Sequence, residues 1–496
     1  MPPTVPRWEW RTFGTQFGVA EERFGALRPD AVQESDEIYL LTRTPTGNAK
    51  IRGGLMDIKL LRESRAGLER WEPVMKTAFP LDAEDAARVF DTLELPAPPL
   101  RRQRYAREEF LGDVAGRDGP LQRVDVHKRR VRYTIDGCVS EVTDLVAGDQ
   151  AIRTIAIEST DQSAVLRAVE AMGLAGYLNA NYAVGLRAVL DRRPERYAVI
   201  DAGTNSIKFR IAERTPDGWR TLTDRAEITR LGEGLTDGGD ITPEAVTRTS
   251  DAIAGMVDEA TACGVLAIVA VGTAGLRAAR NAGKVVNAIR ARTGVQIEVI
   301  PGDEESRLAY EAVRAGIDVA MGTLVVFDTG GGSSQFTFGD AAGVDERFSV
   351  PVGAVRYTEA FGLANAVSPE TLDQAVAAIG AALGRLDGRT RPDVVVGMGG
   401  AVTNMAAVKH ALAPYDADVV RGTVLDRAEL DRQIETYRTR DADGRRTIVG
   451  LQPKRADVIL AGACIVRTVL EKLDVESLTV TDRGLRDGVL VERFGA

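Results

Sequence analysis

Two stretches of this chain, VIDAGTNSIKFRI (199–211) and VFDTGGGSSQFTF (326–338), align without a gap at a constant offset of 127 residues. Asp201 falls on Asp328, Gly203 on Gly330, Ser206 on Ser333 and Phe209 on Phe336. Each is an apolar strand ending in aspartate, then a Gly/Ser/Thr turn, then a second strand. A sequence that spells this unit twice calls for two related halves, each with a strand–acidic turn–strand hairpin.

The surrounding pattern agrees. From Tyr197 onward apolar strands alternate with helical stretches: VLAIVAVG precedes LRAARNAGKVVNAIRART, QIEVIPG precedes DEESRLAYEAVRAG, and DVVVGMGG precedes AVTNMAAVKHAL. That alternation predicts α/β domains with substantially parallel sheets. Residues 7 to about 160 differ. EIYLLTRT (37–44), NAKIRGGLMDIKLLRE (48–63), RWEPVMKTAFPL (70–81), HKRRVRYTIDG (127–137), CVSEVTDLVAG (138–148) and RTIAIEST (153–160) alternate with period 2 and predict strands. DAEDAARVFDTL (82–93), SAVLRAVEAMGL and YLNANYAVGLRAVL predict helices, and the polar, Pro-containing DRRPERY (191–197) predicts a linker. The expected domains are therefore 1–192, 196–319 and 320–496, with the extreme C-terminus packing back on the second.

Composition excludes several classes. A net charge of −9 argues against bulk nucleic-acid binding. Residues 1–195 hold 28 Lys+Arg against 30 Asp+Glu, and the remainder 35 against 42. An anionic ligand must therefore be held by local groups. Two histidines, His127 and His410, are too few for His-rich metal sites, and three scattered cysteines suit a reducing cytoplasm. No apolar run approaches the roughly 20 residues of a membrane helix, and MPPTVPRWEWRTFG carries no apolar signal core. The expectation is a cytoplasmic protein with no nucleic-acid or membrane partner, in which a homodimer can be accommodated.

The duplicated turn has a chemistry. Glycines permit positive φ and let backbone N–H groups approach a ligand, and successive N–H groups form an anion-binding concavity. The hydroxyls of Thr204, Ser206, Ser333 and Ser334 add neutral donors. An aspartate beside phosphate requires a cation between them, so the pattern points to a divalent ion: Mg²⁺, with Mn²⁺ able to replace it. Paired loops can clamp a phosphate chain. Three further segments fit. VGTAGLRAA (271–279) delivers Arg277, whose guanidinium suits phosphate oxygens. IPGDEESRLAY (300–310) puts Asp303, Glu304 and Glu305 in a first helical turn, where they act either as dipole partners or, in one case, as a general base. VVGMGGAVTN (395–404) is another strand ending in glycines before a helix.

In this order, DAGTNS, VGTAGLR, PGDEESR, DTGGGSSQ, GMGGAVTN, KRADVI (454–459) and DRGLRDGVL (482–490) resemble the exopolyphosphatase / guanosine pentaphosphate phosphatase (Ppx/GppA) family over residues 197–496. The resemblance implies two ribonuclease-H-like domains of the actin-like, sugar-kinase-like ATPase superfamily and Mg²⁺-dependent hydrolysis of terminal phosphoanhydrides. It also implies roles: Glu305 as base, Asp328 as metal-positioning aspartate with Asp201 in the matching loop, and Arg277 beside the reacting phosphate. Gly203, Thr204, Asn205, Ser206, Gly330, Gly331, Gly332, Ser333 and Ser334 form the phosphate-contacting set. Gln335 stands where the family usually has glutamate, and ligates a metal through its amide oxygen without adding charge. The chain resembles the short form, lacking the His/Asp-rich C-terminal helical domain.

The N-terminal strands carry rows of cations. Lys128, Arg130 and Arg132 share one strand face at period 2, Lys50 and Arg52 another, and Arg11, Lys59 and Lys76 lie on neighbouring strands. A closed antiparallel barrel could point these rows into its lumen and bind a polyanion. EWR (9–11), SEVTD (140–144) and AIEST (156–160) resemble the CYTH, or triphosphate-tunnel, family, with fewer carboxylates than its metal-dependent catalysis uses. A polyanion-binding accessory domain is expected, with Arg52, Lys59, Lys76, Lys128, Arg130 and Arg132 as its contacts.

The sequence thus reads as an exopolyphosphatase acting on inorganic polyphosphate. A (p)ppGpp 5′-phosphatase or nucleoside triphosphatase uses the same site and stays open, as does a non-catalytic polyphosphate or nucleotide sensor.

Overall fold

Eight of the first ten strands close on themselves. The computed structural model describes residues 5–42, 47–114, 121–204, 206–216, 218–233, 235, 239–314 and 322–495. It divides into two units, Met1–Ile300 with Val489–Ala496, and Pro301–Gly488. The first begins with β1 (Arg7–Gly14), β2 (Ala31–Leu41), β3 (Gly47–Arg52), β4 (Leu55–Arg65) and β5 (Leu68–Ala78). A two-stranded ribbon, β6 (Leu81–Asp82) and β7 (Arg104–Tyr105), precedes β8 (Gln122–Ile135), β9 (Cys138–Ala147) and β10 (Gln150–Ser159). The barrel order is β1-β10-β9-β8-β2-β3-β4-β5, closed by antiparallel pairing of β1 with β5. NAKIRGGLMDIKLLRE becomes a β3–β4 hairpin, because Gly53 and Gly54 take the positive φ that its turn needs.

Closure gives the period-2 pattern an inside. The inner-facing residues change character along each strand. On β8 they run Val124, Val126, Lys128, Arg130; on β1 they run Phe13, Arg11, Glu9; on β2, Leu41, Tyr39, Glu37. One end of the lumen is apolar and the other charged. The helix Tyr182–Leu190 fills the apolar end, packing Tyr182, Ala183, Leu186 and Val189 on Phe13, Leu41, Val124, Val126 and Leu145. This helix is shorter than its periodicity predicts. Asn181 ends the preceding turn and caps it, its side chain accepting from Val184 N at 3.1 Å. Outside, Ala49, Ile51, Met56 and Ile58 pack under Val89, Phe90 and Phe110.

The rest of the first unit is a five-stranded sheet of β11 (Arg196–Ala202), β12 (Ser206–Thr215), β13 (Gly218–Ile228), β14 (Ala267–Gly272) and β15 (Ile297–Val299). The order is β13-β12-β11-β14-β15, with β14 and β15 parallel to β11. It is joined to the barrel by hydrogen bonds from Leu178 N to Leu266 O (2.8 Å) and Ile268 N to Gly176 O (2.8 Å). Phe494 adds its ring to Tyr197 and Tyr177.

The second unit holds β16 (Leu324–Thr329), β17 (Ser334–Asp340), β18 (Gly343–Val350), β19 (Val394–Met398), β20 (Val424–Asp426) and β21 (Ser477–Val480). Its order, β18-β17-β16-β19-β21-β20, repeats the first sheet's arrangement, an antiparallel meander of three and then two strands parallel to the innermost, and adds β20 antiparallel at the edge. Even the register repeats. Ile200 pairs with Phe209 and Phe327 with Phe336; Asp201 lies opposite Lys208 and Asp328 opposite Gln335. The apolar helix Ile459–Lys472 is buried almost throughout against this sheet. Among the described residues no helix is long and apolar enough to cross a membrane.

Candidate functional site

Each duplicated hairpin is held by its own turn. In the first, Gly203 N donates to Ser206 O (3.1 Å) and Asp201 O (3.2 Å). Asp201 is buried, with Lys208 Nζ at 3.5 Å. Two other loops close on Thr204. Gly232 N donates to its carbonyl at 2.8 Å, and a Cβ on Gly275 would stand 3.0 Å from its hydroxyl. Gly275 lies in the short helix Ala274–Ala278, which carries exposed Arg277; its Nη1 donates to Ile300 O at 3.0 Å. The first unit thus gathers Asp201, Gly203, Thr204 and the Arg277 turn. Asn205, assigned to the same loop from sequence, lies outside the described residues.

The second hairpin is tighter. Gly330 N donates to Ser333 O at 2.9 Å, while Ala354 N and Val355 N donate to the carbonyls of Gly330 and Gly331, each at 2.9 Å. Gly353 is required for that approach, since a Cβ there would stand 2.3 Å from Gly331 O. Asp328 is accommodated in the same way. Gly399, at φ +89°, leaves space for its carboxylate, and a Cβ there would fall 2.0 Å from Oδ1. The strand ending GMGG therefore serves Asp328 directly. Ser334 plays a different part from the one its hydroxyl implies: it is fully buried, donates to Val352 O at 2.7 Å, and braces the turn. Gln335 Nε2 donates to Ser333 Oγ (2.8 Å) and Ser349 Oγ (3.3 Å).

Arg455, in the KRADVI stretch, was assigned no role from sequence. Its guanidinium lies against Gly400, and with Thr329, Gly330, Gly331, Ala354 and Ala401 it lines a small pocket beside the turn. Only the position of KRADVI within the motif series could have flagged it.

Glu305 sits in the first turn of the helix Gly302–Arg314, where its N–H donates to Pro301 O at 3.0 Å. Its acidic neighbours have other duties. Asp303 pairs with Arg347, and Glu304 accepts from Arg307 at 2.6 and 2.9 Å. The two histidines are equally ordinary: His127 meets Asp36 and His410 meets Thr423.

The charged end of the barrel is a cavity of about 190 Å³. At about 30 Å³ per water, this is room for a chain of atoms rather than a single ion. Arg52, Lys59, Lys128, Arg130 and Arg132 line it, with Arg11, Lys50, Glu9, Glu141 and Glu158. Lys76, paired with Asp57 between β4 and β5, is exposed and does not line it. Sequence reasoning overlooked Glu37, which is 1% exposed. It accepts from Arg130 Nη2 (2.9 Å), Lys128 Nζ (3.2 Å) and Lys50 Nζ (3.4 Å). Burial alone would push its carboxyl up, but Lys128, Lys50 and Arg130 outweigh that and hold it well below the usual carboxylate range. Burial also pulls the Lys128 ammonium well down, with Lys50, Arg11 and Arg130 adding to the effect. Period 2 with Tyr39 and Leu41 was the available signal that Glu37 faces inward.

A family model described as the Ppx/GppA phosphatase family matches residues 210–495. Over 321 residues the chain is 30% identical to exopolyphosphatase 2 of Mycobacterium tuberculosis, covering 60% of this chain and 99% of that one. Over 301 residues it is 29% identical to the guanosine-5'-triphosphate,3'-diphosphate pyrophosphatase of Photobacterium profundum, and spans 59% of that protein's length. The crystal structure of the type II variant of the Aquifex aeolicus Ppx/GppA phosphatase superposes with a TM-score of 0.56 at 30% identity, covering 60% of this chain and 99% of that one.

Proposed function

This chain belongs to the Ppx/GppA phosphatase family, and from that premise we propose that it is an exopolyphosphatase, hydrolysing the terminal phosphoanhydride of inorganic polyphosphate. One observation carries the reading: the same Asp-ended strand and Gly-rich turn is the innermost hairpin of both α/β sheets, in the same register. Backbone N–H groups of the turns receive phosphate oxygens, and Thr204, Ser206, Ser333, Arg277 and Arg455 add donors. Glu305 accepts a proton from the attacking water. Phosphoryl transfer is loose and spreads its charge, so positioning and electrostatics supply most of the rate.

The donor set fits Mg²⁺, which is commonly held by one or two carboxylates with substrate phosphates and water. Asp328, given its space by Gly399, would hold it with Gln335 of the same hairpin, and Asp201 is the matching metal-binding carboxylate of the other hairpin. When bound, the ion would neutralise charge on the leaving phosphate chain. The barrel acts as an accessory receptor for polyanions.

Similarity to both an exopolyphosphatase and a guanosine pentaphosphate phosphatase keeps (p)ppGpp as the second substrate class. Side-by-side phosphate release from long polyphosphate and from pppGpp, with Mg²⁺, Mn²⁺ and EDTA, decides between them. Polyphosphate is expected to give the larger kcat/KM; a preference for the nucleotide reverses the assignment, and absence of turnover with either ion leaves a sensor.

Gly399→Ala tests the support of Asp328. At φ +89° and ψ 170° Gly399 lies in a region almost confined to glycine, which costs a residue with a Cβ about 1–3 kcal/mol, and a displacement of about 1 Å at a reacting centre costs about 10²-fold in rate. Turnover is expected to fall by that order with the circular dichroism spectrum intact. Phosphate release within about threefold of wild type, well under the 10²-fold expected, removes Asp328 from the chemistry.

A further inference from the structure

The charged end of the barrel lumen raises a question of cation chemistry. A divalent ion in this lumen would need free oxygen ligands, and here the inward-facing glutamates Glu9 and Glu141 are already occupied. Arg11 Nε donates to Glu9 Oε1 at 2.9 Å and Arg11 Nη2 to Glu141 Oε1 at 3.1 Å. Its Nη1 reaches Thr154 Oγ1 at 3.3 Å, and its guanidinium lies 4.2 Å from the centre of the Tyr182 ring. Arg11 is 5% exposed, so this is a fixed internal cation and not a mobile surface group. Burial would raise both carboxyls; Arg11 is the first charge that instead holds each below its ordinary value. Of the remaining acids, Glu37 is committed to Lys128 and Arg130 and Glu158 to Arg7 at 2.9 Å; Asp57, which also lines the cavity, is a single carboxylate and too little to hold a divalent ion alone. Among the described residues no group of three or more His, Cys, Asp or Glu is placed to hold a metal ion. The lumen does not fit a divalent cation.

It does fit an anion. Two buried donors that line it have no hydrogen-bond partner: Arg130 Nη1 and the Tyr182 hydroxyl. Buried polar groups are rarely left unpaired, and both are donors that await an acceptor oxygen. Lys59, Lys50 and Arg132 line the same space. The Tyr182 ring is covered by Arg11 and by Lys128 Nζ at 3.8 Å, leaving no open aromatic face on which a base could stack.

We propose that the lumen is a metal-independent receptor for a condensed inorganic phosphate chain, in which the Arg11 guanidinium takes the place of a divalent ion between Glu9 and Glu141. The proposal rests on the reading of the barrel as a polyanion receptor, and the test separates the two.

Binding of tripolyphosphate to the full chain is measured by calorimetry in EDTA and again with Mg²⁺ or Mn²⁺. The lumen component is identified as the part lost in the double variant Lys59→Gln, Arg132→Gln, which removes two charge-assisted contacts and should weaken it more than about tenfold. Wild-type affinity for that component is expected to be the same in EDTA as with either ion. Arg11→Gln should weaken binding in EDTA by more than about tenfold and make it Mn²⁺-dependent, with the electron paramagnetic resonance of Mn²⁺ reporting a new bound ion. Arg11→Lys, which keeps the charge, should retain binding in EDTA and controls for folding. ATP and orthophosphate should each bind more than about tenfold more weakly than tripolyphosphate. A lumen component that disappears in EDTA overturns metal independence while the polyanion reading stands. The absence of any component sensitive to Lys59 and Arg132 overturns the polyanion reading itself. ATP or orthophosphate binding as tightly as tripolyphosphate overturns the assignment to an inorganic chain.

Discussion

Glu305→Gln is expected to lower the rate of phosphate release from polyphosphate by about 10²- to 10⁴-fold, the range a positioned general base contributes, with little change in polyphosphate affinity. The substitution preserves size and one acceptor oxygen but removes the negative charge and with it the ability to accept a proton. The neighbours supply the control. Asp303 and Glu304 lie in the same helical turn but are paired with Arg347 and Arg307. Such solvent-facing pairs are worth about 0–1 kcal/mol, so Asp303→Asn and Glu304→Gln should keep turnover within a few-fold of wild type. Single-turnover phosphate release together with equilibrium binding checks the set. Near-normal turnover in Glu305→Gln, or an equal loss in all three variants, removes Glu305 from the role of base.

The second large effect belongs to stability. Glu37 is the counter-ion of Lys128, Arg130 and Lys50, with Arg52 at 3.7 Å. Glu37→Gln leaves Lys128 and Lys50 buried without their carboxylate, while Arg130 keeps only Glu141 at 3.3 Å, and breaking a buried pair in this way costs about 3–5 kcal/mol. Trp8, Trp10 and Trp71 lie in the barrel strands and Trp219 outside them, so the urea midpoint read by tryptophan fluorescence reports mainly on the barrel. The sign with pH follows from the shifts. The depressed Glu37 carboxyl contributes stability that is present above its unfolded value of about 4.3 and is lost as pH falls through its lower folded value. The wild-type advantage should therefore persist through mildly acidic pH and fade only in strong acid. On the alkaline side the lowered Lys128 and Lys50 lose their protons early in the folded state, which relieves the variant and narrows the gap. Tripolyphosphate should restore much of the loss, because it supplies the missing negative charge. A midpoint unchanged by Glu37→Gln at neutral pH would show that the cluster is solvated and not a buried ion network.

Several parts of this molecule could be read from local pattern. The paired hairpins were legible because strand, aspartate and glycine turn are contiguous, and a fixed offset of 127 residues survives only if both copies keep the same register. The inward row of Lys128 and Arg130 was legible because a strand alternates its faces with period 2. Less legible were contacts between segments far apart in the chain. Gly399 reads as one more glycine in GMGG until the fold brings it against Asp328, 71 residues earlier. Ser334 reads as a donor until its hydroxyl turns inward to Val352. Lys76 belongs with the basic rows by type and pairs with the cavity-lining Asp57, yet it stays exposed and outside the lining.

By itself the sequence determined which residues carry charge, which strands alternate and where the turns can bend, since these follow from side-chain chemistry and backbone sterics within a few residues. Only the tertiary structure decided which charges cancel. Arg11 and Glu141 are 130 residues apart and Glu37 and Lys128 are 91 apart, and closure of the barrel turns each into a buried ion pair. The physical reason is that the strength of a charge interaction depends on separation and desolvation, and a chain acquires both only when distant strands meet.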